Sequence, residues 1–572
     1  MLIICRFFVG FCKVIVCSFV GFCNYSSYLQ VFVLNLVSDR VGFLRCFCSD
    51  NPVLNGVFCL KKEDMTMPAK PNVATLYSSF ASGSVATISQ IEVSISPGIP
   101  TFSVIGLCDS SIRESEGRLR SAFKSAGFTM PKGHITVGIS PAYMRKTGTG
   151  FDLPMALGIL FASGQLYLPV GARIYAEGEL SLGGEVKATP GACIRLKKVR
   201  SENFDYKIIP MNETASAGIA GLTGQGIFNL SEMNAVFDGN DYKETVFDYA
   251  QENSTDDFLD ISLLKGQEKT KRALLISAAG FHNIILLGSP GCGKTMAGKI
   301  LSGLLPKLEP DELPDVYSLS ELVDGENSKV TFDRPVRMIG PNTTVSKLLG
   351  NSQSVTPGEM ALANKGILFA DELPLYKSEV LDFLRNPLEE RKVHLTRKGV
   401  LYSFDSDFIF LGTGNPCKCG QLYEKGNKCR CSVTEINRYL SKLNGPFMER
   451  IDLLSEMRSI SGNDMASIYV DEFESESPQY RNIVQRCWQK AYERYGSKYL
   501  NGNFPEPDIR DAMRIPENVV RFASELSEKG FFSARGFTRV LRVARTIADI
   551  NDEDDVTVED VSEAAQFRKR GC

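Results

Sequence analysis

The chain has 572 residues, 43% apolar and 23% charged, with a formal net charge near −3. That length exceeds what one core organises, so two to four domains are expected. The composition excludes a disordered or fibrous chain, and the near-neutral charge excludes a global basic field, leaving any nucleic-acid contact to a local patch.

Residues 1–66 form an apolar, Cys-rich extension that is not expected to belong to the fold. Seven of the sixteen cysteines lie within the first 64 residues, and four more cluster between Cys417 and Cys431. This is not the regular framework of a small secreted domain, so a reducing, cytoplasmic setting is expected. Residues 14–38 carry no charge and are long enough for a membrane span. Yet "NYSSYLQ" interrupts the run, and no small-residue cleavage site follows. Three readings stay open: a stretch upstream of the true start, since Met65 and Met67 immediately precede patterned sequence; a signal or anchor; or a structured part of the fold. No membrane partner is expected.

Residues 67–240 read as a mixed α/β domain. "ATISQIEVSIS" and "HITVGIS" alternate as strands, and "FDLPMALGILFASG" is apolar all round, as a buried helix is. "RIYAEGELSLGGEVKAT" reads as a hairpin region and "YKIIP" as a further strand. Residues 241–260 are expected to be an acidic, solvated linker, because 247–260 hold five acidic residues and no basic one. Residues 261–465 alternate strand and helix as a parallel α/β sheet does: "NIILLG", "TMAGKILSGLL", "GILFADE", "SEVLDFLRNPLEE", "DFIFLGTGN". Residues 466–572 turn helical. "PENVVRFASELSEKG" ends in a glycine cap, "ARGFTRVLRVARTIADI" carries apolar residues at helical spacing, and "TVEDVSEAAQF" opens with a capping pattern.

Between the first strand and helix of the second domain stands "GSPGCGKT": Gly288, Ser289, Pro290, Gly291, Cys292, Gly293, Lys294 and Thr295. This is the phosphate-loop pattern in its required strand–loop–helix context. Its backbone N–H groups would cradle the phosphates of ATP, Lys294 would reach the β- and γ-phosphates, and Thr295 would ligate Mg²⁺. In "ILFADE" a buried strand delivers Asp371 to the Mg²⁺ shell and Glu372 to the attacking water. "GTGN" puts Asn415 at the end of another buried strand, beside the same edge. Cys417, Cys419, Cys429 and Cys431 are spaced as CxC, nine residues, CxC. Four thiolates so placed can close a tetrahedral Zn²⁺ site, or can remain reduced loop thiols.

Taken together, "KGQEKTKRALLISAAGFHNIILLGSPGCGKTMAGKIL", "PGEMALANKGILFADELP", "NPCKCG", "GPFMERIDL" and "SARGFTRVLRVARTIAD" resemble the magnesium-chelatase-like branch of the AAA+ ATPases, most closely the ComM/YifB family. The resemblance implies an α/β multidomain protein: a Lon-protease-like N-terminal domain, a P-loop domain with a parallel sheet, and a C-terminal helical lid. It implies that Asn415 is sensor 1, that Arg450 is a finger reaching the ATP of a neighbouring subunit in a ring, a hexamer by expectation, and that Arg535 fits sensor 2 with Arg539 as second choice. It also implies that "RKVHLTRKGVLYS" is a pore-side hairpin, making Lys392, Arg397 and Lys398 candidates for DNA contact. The implied activity is that of an ATP-driven motor on DNA, in branch migration or helicase action on incoming DNA. The rivals are a magnesium-chelatase ATPase subunit and a nucleotide-binding scaffold. In the first domain Gly150 stands where a Lon-type nucleophilic serine belongs and Arg195 near the lysine position, so peptidase activity is not expected. The family's "PHH" appears as Pro341-Asn342-Thr343, which changes a loop expected near the pore.

Overall fold

The computed structural model describes residues 73–568 except 147, 168–170, 238–257, 425–428, 444, 460–473 and 506–508, together with five strands before residue 61. The chain divides into two compact units, Met1–Pro71 and Asn72–Cys572. In the first, strands Ile3–Phe7, Val14–Phe19 and Val31–Asn35 form an antiparallel ladder, and Gly42–Arg45 pairs with Val57–Leu60. The side chains that bear on the three readings of this extension lie outside the described residues. Among the described residues, no helix is long and apolar enough to cross a membrane.

The second unit opens with a seven-stranded mixed sheet. Strand Val73–Ser82 pairs antiparallel with Val85–Ser96, which pairs antiparallel with His134–Ser140. Strands Ile174–Ala176, Tyr206–Pro210 and Gln225–Ile227 extend the sheet in parallel. Helix Asp152–Ser163 is buried along nearly its whole length and ends on Gly164 at φ 73°, as its uniformly apolar sequence requires. The stretch expected as one hairpin is two things. Ile174–Ala176 joins the large sheet, and a two-residue hairpin pairs Glu179–Leu180 with Val186–Lys187. The alternating pattern could not separate them, because a strand of three residues is too short to carry a period.

The end of the stretch expected as a solvated linker is half-buried and tied down. Asp260 accepts hydrogen bonds from the backbone N–H groups of Ser262, Glu476 and Ser477, tying the start of the parallel-sheet domain to the first C-terminal helix. Although burial opposes it, these donors and the Ser475 hydroxyl hold the Asp260 carboxyl well below the usual carboxylate range. The rest of that stretch, to residue 257, lies outside the described residues.

Five parallel strands follow, in the order Val336–Ile339, Ile367–Ala370, Ile409–Gly414, Ile284–Gly288, Leu453–Met457. The three central strands are buried at every residue, which is why they read as continuous apolar runs. The helix expected over "SEVLDFLRNPLEE" is two helices, Ser378–Arg385 and Pro387–Glu390, because Pro387 has no N–H for the ladder and its ring clashes with the preceding turn. The C-terminal helices Ser477–Tyr495, Glu517–Glu528, Ala534–Ile550 and Val558–Gln566 share one hydrophobic core with the Ile284–Gly288 strand. The Trp488 indole donates to the Ala278 carbonyl at 2.9 Å across that junction.

The first domain is fastened to the parallel-sheet domain by helix Leu313–Asp324, which packs on helix Ala192–Arg200 through Leu313, Tyr317, Cys193 and Leu196. Glu321 is buried in this joint and accepts from Cys193 N at 3.0 Å and from the Ser216 hydroxyl at 2.9 Å.

Candidate functional site

The carboxyl edge of the five-stranded sheet gathers the expected nucleotide residues. Helix Lys294–Leu304 starts on Gly293 at φ 92°, and Gly291 sits at φ 77°. Both are left-handed positions at which a side chain is strained, and they turn the loop's N–H groups inward. A Cβ on Gly288 would stand 2.6 Å from Cys292 Sγ and 2.7 Å from Met457 O, so the backbone has to approach its neighbours bare. Lys294 Nζ donates to the carbonyls of Gly288 and Ser289 at 2.8 Å each and to Asn415 Oδ1 at 3.3 Å. The Ser289 hydroxyl is buried without a partner among the described residues. Inward amides, an ammonium without a carboxylate partner among the described residues and a spare buried hydroxyl fit a chain of phosphates.

Two strands away, Asp371 follows Ile367–Ala370. Its Oδ1 accepts from the Thr413 hydroxyl and from Glu372 N, and no donor among the described residues reaches Oδ2. Thr413 was missed by sequence reading, although it stands inside "GTGN", two residues before Asn415. The pairing of Ala370 with Gly412 and of Leu287 with Gly414 brings Asp371, Asn415 and the loop to one edge. Glu372 adopts φ 54°, ψ 42°, a left-handed conformation that a non-glycine residue holds at a cost of about 1–3 kcal/mol. Burial, with Asp371 and Glu372 adding to it, pushes the Tyr376 hydroxyl well above its ordinary range.

Arg450 lies at the other end of the same sheet. Its carbonyl accepts from Asn283 Nδ2 at 3.1 Å, and Asn283 immediately precedes the phosphate-loop strand. Five parallel residues at about 3.3 Å each put roughly 16 Å between that end and the loop. The Arg450 guanidinium binds the Glu389 carboxylate and donates to Pro446 O. Arg535, 70% exposed, pairs with Glu449 at 3.0 Å, and Arg539 pairs with Asp452 at 2.8 Å. Arg450, Arg535 and Arg539 line one cavity of about 930 Å³ on this amino-terminal edge. Asp452, two residues after Arg450, is buried and also accepts from Asn283 N at 2.9 Å. Against the opposing effect of burial, Arg539 and His282 hold the Asp452 carboxyl far below its usual range. No sequence signal marks this anchor beyond its place in "FMERID".

The four cysteines converge. Sγ–Sγ distances are 3.3 Å for Cys417–Cys419, 3.7 Å for Cys417–Cys429 and 3.6 Å for Cys419–Cys429, and all four sulfurs, Cys431 included, lie within 4.8 Å of one another. A tetrahedron with Zn–S near 2.3 Å has sulfurs about 3.8 Å apart. Backbone N–H groups of Gln421 and Arg430 bring the Cys419 thiol down to about 6. A Cβ on Gly420 would stand 2.6 Å from Pro290 Cδ, so this knuckle rests directly on the phosphate loop.

The hairpin Lys392–Arg397/Val400–Asp405 forms as expected, but its cations do not gather. Arg397 and Lys398 stand at the turn, whereas Lys392 pairs in register with Asp405 at the base, about 20 Å away. The base docks on the first domain, where Ser84 N donates to Ser403 O at 2.8 Å and Asp405 N to the Ser84 hydroxyl at 3.0 Å.

In the first domain, Gly150 and Arg195 come together through Thr189. A Cβ on Gly150 would lie 3.3 Å from Thr189 Oγ1, which accepts from Arg195 Nη2 at 2.7 Å. Arg195 is buried between Glu177 at 2.8 Å and Glu213 at 3.4 Å. Burial opposes its charge, but the two carboxyls hold it protonated.

Comparison with known proteins follows the same division. Residues 260–465 match the family profile "Magnesium chelatase, subunit ChlI", 91–213 match "Subunit ChlI of Mg-chelatase", and 474–568 match "Magnesium chelatase, subunit ChlI C-terminal". The chain is 32% identical to the competence protein ComM of Haemophilus influenzae over 87% of this chain and 97% of that one. It is 32% identical to the protein YifB of Escherichia coli over 84% and 93%. A magnesium-chelatase subunit ChlI homolog of Methanocaldococcus jannaschii is 24% identical over 53% of this chain and 82% of its own length.

Proposed function

The chain belongs to the ComM/YifB family of magnesium-chelatase-like AAA+ ATPases, and from that premise we propose a ring-forming motor that couples ATP hydrolysis to movement on DNA. The observation that carries it is the division of the sheet: cradle, carboxylates and Asn415 at the carboxyl edge, Arg450 and Arg535 at the amino edge. A chain so built cannot bring its own finger to its own phosphates, so each nucleotide is cleaved at a seam between two copies.

Within one seam the loop N–H groups and Lys294 hold the phosphates, and Thr295 and Asp371 hold Mg²⁺. Bound there, Mg²⁺ offsets charge on the phosphates during transfer. Thr413 fixes the Asp371 carboxylate by accepting no role of its own beyond donating to Oδ1. Glu372, held in its strained turn, aligns the attacking water and draws off its proton. Asn415 keeps the Lys294 ammonium beside the γ-position. Arg450, with Arg535 beside it, meets the charge developing on the neighbour's phosphoryl group.

DNA as the track is supported by the basic turn at Arg397 and Lys398 and by the competence name of the Haemophilus influenzae relative. The near-complete coverage of that relative favours this reading over a chelatase subunit. The first domain acts as a docking module without peptidase activity, since Gly150 offers no nucleophile. The cysteine knuckle holds Zn²⁺, which pins Pro290 and so the cradle.

The deciding measurement is ATP turnover with and without forked or single-stranded DNA, alongside metal analysis of purified protein. DNA-stimulated turnover and one zinc per chain are expected. Turnover indifferent to DNA, with no binding at low salt, removes the DNA track and leaves the ATPase. Zinc-free protein with unchanged nucleotide affinity removes the knuckle's role.

A further inference from the structure

We infer that a cleft between the first domain and the tip of the Lys392–Asp405 hairpin is a binding site for single-stranded nucleic acid, with Tyr143 as its base-stacking platform. This rests on the DNA reading above and adds to it a site on the first domain. The cleft holds about 710 Å³ and is lined by Leu107, Arg113, Tyr143, Arg145, Lys398 and Val400, from three separate segments of the chain.

Its chemistry is the pairing of an aromatic face with cations. Tyr143 is 81% exposed, far more than a tyrosine that serves a core. Arg113, Arg145 and Lys398 are exposed and have no ion-pair partner among the described residues. Other exposed cations, Arg120, Arg521 and Lys197, each pair with a carboxylate. Two acids also line the cleft, Asp109 and Glu114. Asp109 is already occupied, since Oδ1 accepts from Ile112 N and the Ser111 hydroxyl and Oδ2 from Gly148 N. The lining therefore sets three cations against two acids, an excess of one positive charge.

The platform is held in place from below. Lys146 is buried, and its ammonium donates to Ile139 O at 3.2 Å and to Pro141 O. It braces both sides of the turn that carries Tyr143 and Arg145, so the exposed ring is presented on a fixed loop. On the facing wall, the two-residue turn Lys398-Gly399 has both residues left-handed, at φ 47° and 78°. That geometry suits a hairpin but favours Asn or Gly at the first position, so the lysine is kept there against its backbone preference. The hairpin's base is bonded to Ser84, which fixes the tip's distance from the first domain. Because the same hairpin leads into the strand that ends at Asn415, a strand in this cleft would sit at one end of an element whose other end meets the nucleotide.

Stacking on an aromatic ring tolerates any base, while backbone phosphates follow the cations. The test is binding of the full-length protein to 30-residue oligo(dT), oligo(rU) and an abasic oligomer of equal length, across a salt series. Tyr143→Ala is expected to weaken oligo(dT) binding roughly ten- to hundredfold and to leave abasic binding unchanged, while Tyr143→Phe keeps both. Arg145→Gln with Lys398→Gln is expected to lower the salt slope by about 0.7 for each cation removed. The oligo(rU) arm decides whether the track is DNA or either polymer. Thermal unfolding checks that Tyr143→Ala is folded, as its exposure requires. A folded Tyr143→Ala protein that holds oligo(dT) like wild type overturns the cleft, as does an equal loss on the abasic strand. If wild type binds and loses affinity with Arg397→Gln but not with Tyr143→Ala, the cleft fails and the DNA reading stands. If wild type binds none of the three oligomers, both fall.

Discussion

Lys294 and Arg195 are both cations near the start of a helix packed on a sheet, and the chain treats them in opposite ways. Lys294 meets two carbonyls, an amide oxygen and no carboxylate among the described residues, so its charge remains available to an anion. Arg195 is closed in by Glu177, Glu213, Thr189 and the Pro190 carbonyl, with nothing left to offer. Around Lys294 stand a strained Glu372 and a buried Ser289 hydroxyl without a partner among the described residues; around Arg195, Glu177 and Glu213 each give one oxygen to the guanidinium and keep the other buried without a hydrogen bond. The difference is one of charge compensation: one cation is left open to an anion, and the other is held between buried carboxyls.

The sharpest test of that contrast is to remove the reacting groups. Arg450→Ala is expected to lower turnover 10³–10⁵-fold, and Glu372→Gln about 10²–10⁴-fold, with ATP still bound. Mixing the two inactive proteins should restore part of the rate, since some seams then join an intact Glu372 to an intact Arg450. A mixture as inactive as its components would place the finger on its own chain's nucleotide.

Next in size is Arg195→Met, which leaves two buried carboxyls without their cation. It should cost about 3–5 kcal/mol in urea unfolding of the first domain. A stable variant would mean that Arg195 is not the centre of that network.

Glu213→Gln probes the same network through pH. Burial first, and Glu177 beside it, push the Glu213 carboxyl well above its ordinary range, while Arg195 pulls the other way. A carboxyl raised on folding contributes stability that is complete below the unfolded value, about 4.3, and is lost as pH rises toward the folded one. Glutamine resembles the protonated acid and does not titrate. The variant should therefore match wild type at about pH 4 and become relatively more stable as pH rises; a constant difference across that range would contradict the shift. Smallest of all is Gly150→Ser, whose Cβ would stand 3.3 Å from Thr189 Oγ1. It should cost under about 1 kcal/mol and create no peptidase, because Arg195 cannot serve as a base. Cleavage of a peptide by this variant would show the site to be less closed than its bonds imply.

Much of the ATPase edge was legible in the chain itself. The phosphate loop, "ILFADE" and "GTGN" each combine a fully buried strand with a polar exit, and such local patterns survive folding unchanged. The C-terminal helices carried their caps in sequence, Thr557 with Asp560 among them. Short elements were less legible: Ile174–Ala176 is too brief to show a period, and Pro387 was read through as if the helix continued.

By itself, then, the sequence determined where the phosphate-loop pattern stands and which buried strands lead into it and its neighbours, because strand burial and loop composition are written in consecutive residues. Tertiary structure decided where distant residues meet: Thr413 on Asp371, Arg450 at the far end of the sheet, four thiols around one point, and Tyr143 across from Lys398. Those meetings depend on how elements separated by tens to hundreds of residues pack, and no local period records that.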